Sequence, residues 1–420
     1  MAARSWRRRA WALWGGLAGM GLMLTACSPE VTLDVDVPEQ AEQALPDDMS
    51  EELDEAVRTA MEATGSSGAI AGVWAPWSGS WVEGFGTDAT GADVTSDMTF
   101  RIADVTRLMT CDLLYTVAGE GELALDDPVT DYVSGYPNLE DVALVDLCNG
   151  TGGLGSYTPS LVDGWIENPD RVWDPLELAS FGLGQPRSAV GSQYRDSDAG
   201  YVLIGLALER ATGMSASQLY ETYIFEPLEL ESTLLPSATA SVPGERPMHG
   251  EWIPSDGDGE LRCEEPKDVS LLSASAGFTN AGVVSTVPEL GRYLQALGAG
   301  AFQDDDQPER WQPALPATSS APAWYTAAGG GIIAGPLIGQ NGSLPGYMTA
   351  GFTDPETGLT VVVTLNNSTT GANAAAYLAR QLAAIAAGAP AASGFTDPAL
   401  GLPWTAEQYR ETIAGINVCR

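Results

Sequence analysis

Strand-forming sequence occurs in this chain at two places that lie far apart. Residues 68–74 and 80–85 flank a turn at 76–79, and residues 347–353 and 359–365 flank a second turn. Both pairs are apolar runs of strand length bounded by Pro, Gly and Asp. The long segment between the two pairs is dominated by helical patterns and loops. The four strands can therefore share one sheet only if that segment folds as an insertion.

Helix signals occur at both ends of this arrangement and within the insertion. Asp48 is typical of a helix N-cap, and Glu51 three residues later completes a capping box. Residues 372–387 form an alanine-rich helical segment, and residues 105–118 and 200–211 are the strongest apolar helices of the insertion.

The order of these elements predicts the domain organisation. We expect an α/β (α+β) fold with an inserted all-helical domain. Residues 49–99 and 275–387 are predicted to form the sheet domain, and residues 100–274 the helical domain. Residues 388–420, which contain several prolines, are predicted to be a surface-hugging C-terminal extension. Asp304, Asp305 and Asp306 are predicted to lie in a solvated loop.

The first residues have the character of a targeting segment. Arg4, Arg7, Arg8 and Arg9 precede an uncharged apolar run over residues 10–24. The run ends in Leu-Thr-Ala-Cys, which resembles the bacterial lipobox and implies a lipid on Cys27. An ordinary cleaved signal or a first transmembrane helix is the alternative, although the run is short for a span. We expect a signal peptide over residues 1–26, an acidic solvated tether over 27–48, and a lipid anchor on the outer face of a bacterial membrane.

The charge balance excludes one class of partner. The chain carries 19 Lys and Arg against 56 Asp and Glu, a net charge of −37. Removal of the leader would take away four arginines and no acid, which leaves −41. Such a protein repels phosphate backbones, so a nucleic acid partner is not expected.

Five cysteines divide into one and four if Cys27 carries the lipid. The other four are expected in an oxidising compartment, where three pairings are open, and four unpaired buried thiols are the alternative. These residues are Cys111, Cys148, Cys263 and Cys419. Their spacing matches no CxxC or Cys/His metal motif, and neither a metal nor another cofactor is expected.

Several segments resemble, in order, the motifs of serine β-lactamases and D-Ala-D-Ala carboxypeptidases, closest to the class C branch. Residues 100–107 (FRIADVTR) resemble FRIxSxxK, residues 147–154 (LCNGTGGL) resemble LLTHTSGL, and residues 196–205 (DSDAGYVLIG) resemble YSNxGYxLLG. Residues 225–228 (FEPL) and 339–347 (GQNGSLPGY) resemble FxPLG and GHTGxxPGY. The resemblance covers about residues 49–387. It implies a β-lactamase-like fold, in which an antiparallel sheet is flanked by N- and C-terminal helices and carries an all-helical insertion.

The resemblance also implies where the chemistry of the family would lie, and this chain departs from it there. Family members use a serine and a lysine, then a tyrosine and an asparagine, then a Lys/His-Thr/Ser-Gly motif. The matching positions hold Asp104, Arg107, Asp196, Asp198, Gln340, Asn341 and Gly342. Only Gly342 agrees with the family. Ser343 follows it, and its backbone N–H remains available as an oxyanion donor.

The missing groups have no replacement elsewhere in the sequence. Lys267 is the only lysine, and Glu264 stands three residues before it, so the chain contains no SxxK motif. His249 is the only histidine and is expected to be a surface or structural residue, since no GxSxG elbow supplies a serine partner. Arginine stays protonated and cannot act as the base. These changes predict that acyl transfer has been lost.

Three interpretations of the altered positions are open. Asp104 is typical of a helix cap that pairs with Arg107 at i+3. Alternatively, if the resemblance holds, Asp104, Asp196 and Asp198 converge and bind Ca²⁺ with oxygens from Gln340 and Asn341. The third interpretation is a solvated or amine-binding pocket. The resemblance also places the regions of Cys111 and Cys148 side by side, which favours that disulfide and leaves Cys263 with Cys419.

These observations favour a surface lipoprotein of this family that lacks catalytic activity. It would act by binding a cell-wall (peptidoglycan) peptide, a small ligand or an envelope protein. A hydrolase of the carboxypeptidase, β-lactamase or esterase kind with a rewired site is the first alternative. A structural lipoprotein without a small-molecule ligand is the second.

Overall fold

The computed structural model describes residues 33, 35–256, 260–303 and 307–419. Leu33–Arg420 forms one compact unit. The predicted signal peptide, Cys27 and the three aspartates at 304–306 lie outside the described residues. Within the described ranges, no helix combines the length and apolarity needed to cross a membrane.

The helices and strands follow one another in the predicted order. The helices are α1 Asp47–Thr64, α2 Thr106–Gly119, α3 Val129–Tyr132, α4 Leu144–Cys148, α5 Thr158–Glu167, α6 Pro175–Leu183, α7 Asp198–Thr212, α8 Ala216–Tyr220, α9 Phe278–Ala281, α10 Val287–Gly298, α11 Asn373–Ala386 and α12 Ala406–Ala414. The strands are β1 Gly68–Ala75, β2 Gly79–Gly86, β3 Phe100–Arg101, β4 Glu251–Trp252, β5 Lys267–Asp268, β6 Val284–Ser285, β7 Leu315–Pro316, β8 Tyr325–Ala328, β9 Gly331–Ala334, β10 Leu337–Leu344, β11 Tyr347–Thr353 and β12 Thr360–Leu365.

Eight of the described strands form one antiparallel sheet in the order β2-β1-β12-β11-β10-β9-β8-β7. β1 pairs with β12, so the two distant strand pairs of the sequence meet in the centre of the sheet. α11 and α10 both contact β1, β11 and β12, and α1 contacts β1 and β2. β11 and β12 are buried along their whole length, as expected for strands covered on both faces. The predicted fold class is confirmed: the insertion carries α2 to α8, and the sheet is flanked by terminal helices.

The boundaries of the predicted strands and helices agree with the structure to within one or two residues. The N-terminus of α1, however, is not capped in the predicted way. α1 begins at Asp47, and its N-cap is Pro46, which makes no side-chain capping bond. The predicted capping box of Asp48 and Glu51 is therefore wrong. The proline fixes the backbone conformation that precedes the helix, and Asp47 and Asp48 lie in the first turn, where carboxylates favour the helix dipole.

The predicted solvated tether is shorter than residues 27–48. The backbone N–H of Ala41 donates to Pro76, and that of Leu45 donates to Ser80 on the edge strand β2. Leu45 is 2% exposed and belongs to the core beside the sheet. Backbone pairing to an open strand edge orders these residues, a contact that their polar composition does not reveal.

The C-terminal extension packs on the sheet domain. The indole Nε1 of Trp404 donates to the carbonyl of Arg380 on α11, and the guanidinium of Arg380 donates to the hydroxyl of Tyr409 on α12. Both predicted disulfides are confirmed. Cys111 is bonded to Cys148, and Cys263 is bonded to Cys419, which closes the end of the extension onto a distant loop.

Candidate functional site

The site begins where β3 leads into α2. Residues Ala103–Val105 form a 3₁₀ turn, and Ala103 has a φ of 48°, a conformation that costs free energy for a residue with a Cβ. The N-cap of α2 is Val105, and no side chain caps it. The interpretation of Asp104 as a helix cap is therefore wrong, whereas its pairing with Arg107 is confirmed, at 3.3 Å between Oδ2 and Nη2.

Arg107 is the centre of the site. Its Nη1 donates to Asp196, its Nη2 donates to Asp198 at 2.8 Å, and its Nε donates to the side-chain oxygen of Asn280 at 2.9 Å. The ring of Tyr201 lies 4.8 Å from the guanidinium carbon. The side chain of Arg107 is only 3% exposed. Every nitrogen of the guanidinium therefore contacts an acceptor within the protein.

The three carboxylates that bind Arg107 differ in exposure. Asp198, in the first turn of α7, is 5% exposed, and its second oxygen accepts the backbone N–H of Thr158 at 2.8 Å. Asp104 is 20% exposed, and Asp196 is 53% exposed. Asp196 is thus the member of the cluster most open to a ligand.

The proton balance of the cluster follows from its burial. Burial raises the pKa of Asp104 to about 8; Arg107 offsets part of this rise, and Asp198 and Asp196 add to it. Burial also raises the pKa of Asp198, against the opposing effect of Arg107. Burial acts to lower the pKa of Arg107, but the three carboxylates outweigh it and hold that pKa well above its usual value. At neutral pH the arginine is charged and Asp104 retains its proton.

The strand that matches the third motif, β10, lies against the start of α2. A Cβ on Gly342 would come within 2.4 Å of the backbone nitrogen and the Cβ of Asp104, so only glycine permits this approach. The side-chain hydrogen bonds of Gln340 go to partners other than the carboxylates. Its amide nitrogen donates to the carbonyl of Gly330 at 3.0 Å, and its oxygen accepts the N–H of Asn341 at 2.9 Å.

The structure therefore brings together five of the eight predicted pocket residues. These are Asp104, Arg107, Asp196, Asp198 and Gly342. Across the part of the chain that the structure describes, no hydrogen bond joins the side chain of Gln340, Asn341 or Ser343 to Arg107 or to the carboxylates.

The sequence did not indicate Asn280 as part of the site. This residue lies on the short helix α9, outside every segment that carried the family resemblance. Tyr201 lies inside one of those segments, but its role as the ring beneath Arg107 has no sequence signal. Buried aromatic residues are common, and only the contact reveals the function of this one.

The geometry of the cluster contradicts the hypothesis of a calcium site. The guanidinium of Arg107 lies where the three carboxylates converge, so a Ca²⁺ ion would have to displace a buried cation. Among residues 33, 35–256, 260–303 and 307–419, no group of three or more His, Cys, Asp or Glu side chains is arranged to hold a metal ion.

Chemically, the site consists of the buried guanidinium of Arg107 and the three carboxyl groups that contact it. It lacks a hydroxyl nucleophile and a neutral amine at the positions where the family resemblance places them. With Asp104 protonated at neutral pH, Asp196 and Asp198 share a single guanidinium, which leaves an excess of one negative charge at the exposed edge formed by Asp196.

Comparison with known proteins agrees with this fold. The β-lactamase family model matches residues 53–385. The D-alanyl-D-alanine-carboxypeptidase/endopeptidase AmpH of Escherichia coli K12 is 29% identical over 226 residues, 51% of this chain and 53% of that protein. A D-aminopeptidase of Brucella anthropi is 29% identical over 160 residues, 37% of this chain and 30% of that protein. The chain thus matches about half or less of the length of these relatives.

Solved structures show the same architecture. A D-stereospecific amidohydrolase from Streptomyces superposes with a TM-score of 0.67 at 21% identity, over 77% of this chain and 98% of that one. The D-amino acid amidase from Ochrobactrum anthropi in complex with D-phenylalanine gives a TM-score of 0.64 at 22% identity. The match covers 75% of this chain and 92% of that one. Together with the family match across most of its length, this shows that the chain belongs to the β-lactamase family.

Proposed function

We propose that this protein is a lipid-anchored, catalytically silent member of the β-lactamase family that binds an amine-bearing cell-wall peptide. One observation carries the proposal. At the position where the family resemblance implies a lysine base, the chain holds Arg107, bound by Asp104, Asp196, Asp198 and Asn280.

The loss of acyl transfer follows from that contact. A serine nucleophile needs a group that accepts its proton, and a permanently charged guanidinium cannot accept one. Asp104 replaces the serine and retains its own proton at neutral pH, because its pKa is about 8. The pair is thus an electrostatic and structural contact rather than a nucleophile and its base.

The preference for an amine follows from the charge that remains. Asp196 is about half exposed and binds Arg107 through one oxygen, Oδ1. Its second oxygen is a suitable acceptor for an ammonium group, and the acidic excess of the cluster disfavours a carboxylate ligand. Two of the similar proteins are a D-aminopeptidase and a D-amino acid amidase seen with D-phenylalanine, and both names imply ligands with a free amino group.

The location is part of the same proposal. The Arg-rich start, the apolar run and the lipobox-like end at Cys27 support export and lipid attachment. A protein held there on the outer face of a bacterial membrane would meet cell-wall peptides and other envelope proteins.

Catalytic silence is tested with a fluorescent penicillin and intact-mass spectrometry on the chain without residues 1–26. We expect no covalent adduct. The double variant Asp104→Ser, Arg107→Lys runs beside it as the restored pair. A stoichiometric adduct on the natural sequence would contradict the proposal and favour the alternative, a hydrolase with a rewired site.

Amine binding is tested by calorimetry with D-phenylalanine amide and its N-acetylated form. The free amine should bind and the acetylated form should not, because acetylation removes the positive charge. Asp196→Asn should weaken binding about tenfold, the loss of one charge-assisted hydrogen bond. The exposed substitution Glu407→Gln is the matched control. Equal binding of both forms, or of neither, would rule out an amine site.

A further inference from the structure

A cavity separate from the acidic cluster lies in the helical insertion. Its volume is about 760 Å³, which falls in the range of pockets that hold ligands larger than a single amino acid. One wall is the segment around Tyr136 to Asp141, and the other is the end of α6 with the following residues to Ala189.

The polar lining of this cavity contains both donors and acceptors. Arg187, Asp141 and Asn138 supply them, and the apolar surface of Leu183 lies beside them. Arg187 contacts Asp141 only loosely, at 3.4 Å between Nη2 and Oδ1. Asp141 is 68% exposed, so this pair can turn toward a ligand without breaking a buried salt bridge.

Part of the hydrogen-bonding capacity beside the cavity is unused. Within the described residues, Nε of Arg187 and the hydroxyl of Ser188 are buried and have no hydrogen-bond partner. Asn138 has a φ of 63°, the left-handed conformation that non-glycine residues adopt at a cost and that is enriched at ligand-binding sites.

The charge of the lining separates ligand classes. The cavity has one acidic and one basic side chain and is neutral overall, although the whole protein carries −37. In contrast, a second cavity of about 600 Å³ is lined by four acids, Asp97, Glu221, Glu231 and Glu245, against one arginine. A cation would be repelled by Arg187 and an anion by Asp141, while an apolar molecule would make no hydrogen bonds to the polar lining.

We propose that the neutral cavity binds an uncharged oligosaccharide. Sugar hydroxyls both donate and accept hydrogen bonds, so they match a lining of Arg187, Asp141 and Asn138. Two hydrogen bonds connect the cavity wall to the backbone of the acidic cluster: Gln185 donates to the carbonyl of Ser156, whose hydroxyl donates to the carbonyl of Asp196 at 3.2 Å. This site does not depend on amine binding at the cluster.

The test is calorimetric titration of the leaderless protein with the β-1,4-linked tetramer of N-acetylglucosamine and with maltotetraose. At least one of the two sugars should bind. Arg187→Met removes the guanidinium at similar length, and Asn138→Gly removes the side chain but retains the left-handed backbone. Each should weaken binding about tenfold, as expected for the loss of a hydrogen-bonding side chain.

Asp196→Asn serves as the control outside the cavity and should bind the sugar as the natural protein does. Melting temperatures of the variants confirm that each is folded. The proposal is overturned if neither sugar binds, or if Arg187→Met and Asn138→Gly bind as tightly as the natural sequence. Loss of sugar binding in Asp196→Asn alone would also overturn it, since the ligand would then lie in the acidic cluster.

Discussion

The guanidinium of Arg107 lies 3.3 Å from the carboxyl group of Asp104, one helical turn earlier, at the two positions where the family resemblance implies a lysine and a serine. Two further aspartates and Asn280 complete the coordination of the same arginine. These two positions thus hold a buried ion contact. This relationship determines both the stability and the pH response of the site.

Removal of the central cation should be strongly destabilising. Arg107→Met leaves the buried Asp198 without its partner, and breaking a buried ion pair in this way costs about 3–5 kcal/mol. Urea unfolding measures the change in the free energy of unfolding. The control is Arg58→Met, because Arg58 is 62% exposed and pairs with Asp54 at 3.8 Å, so its loss should cost under about 1 kcal/mol. Similar losses in the two variants would contradict the central role of Arg107.

The raised pKa of Asp104 predicts a direction for stability against pH. The pKa of Asp104 is about 8 in the native state, whereas the unfolded chain releases this proton near the ordinary aspartate pKa of 3.8. Between these values the native state binds more protons, so rising pH lowers the free energy of unfolding. One proton corresponds to a slope of about 1.4 kcal/mol per pH unit.

Asp104→Asn should remove that component of the slope. Relative to the natural protein, the variant should become more stable as pH rises from about 5 to about 8. Chemical unfolding at several pH values measures the free energy of unfolding of the natural protein and the variant. Glu407→Gln is the exposed control. Parallel stability curves for the natural protein and Asp104→Asn would show that Asp104 is ionised throughout.

Close approach of β10 to the start of α2 makes Gly342 sensitive to substitution. In Gly342→Ala the new Cβ would meet the backbone of Asp104, which cannot move as a flexible side chain can. We expect a loss of about 1–3 kcal/mol. Gly164→Ala, on α5 with no atom within 4 Å of the added Cβ, should instead stabilise by about 0.4–1 kcal/mol. Thermal unfolding of both variants measures the contrast, and a neutral Gly342→Ala would contradict the close packing.

The Cys263–Cys419 disulfide should stabilise the C-terminal extension. The two residues are 156 positions apart, so their bond restricts a long loop of the unfolded chain. Cys419→Ser should lower the free energy of unfolding by about 2–5 kcal/mol. It should also increase hydrogen exchange at the amide of Val418, which donates to the carbonyl of Ala63. Unchanged exchange at Val418 would show that noncovalent packing holds this end.

The charge of the chain predicts a response to salt. A net charge of −37 destabilises the compact state through self-repulsion, and added salt screens it. The melting temperature should rise as sodium chloride increases from about 0.01 M to about 1 M. A variant with several exposed acids changed to their amides should show a smaller rise. A falling melting temperature would mean that favourable ion pairs outweigh the repulsion.

The sequence determined the architecture and which side chains occupy the family's motif positions. Apolar runs of strand length between turn residues located β1, β2, β11 and β12, and helical spacing located the main helices, because both patterns follow from which side chains of an element are buried. The family motifs placed Asp104, Arg107, Asp196 and Asp198 together, since a motif carries its position in the fold with it. A single lysine, Lys267, preceded by Glu264 was enough to exclude an SxxK pair.

Only the tertiary structure decided which partners those residues contact. Asn280 on α9 accepts a hydrogen bond from Arg107, and Gln340 donates one to Gly330. The backbone of Leu45 pairs with Ser80 on the edge strand β2. Each outcome depends on side-chain direction and on contacts between residues far apart in the chain. The local sequence pattern predicts whether a residue is buried. It does not predict which residue it will contact, because that depends on side chains from distant segments that come together only in the folded protein.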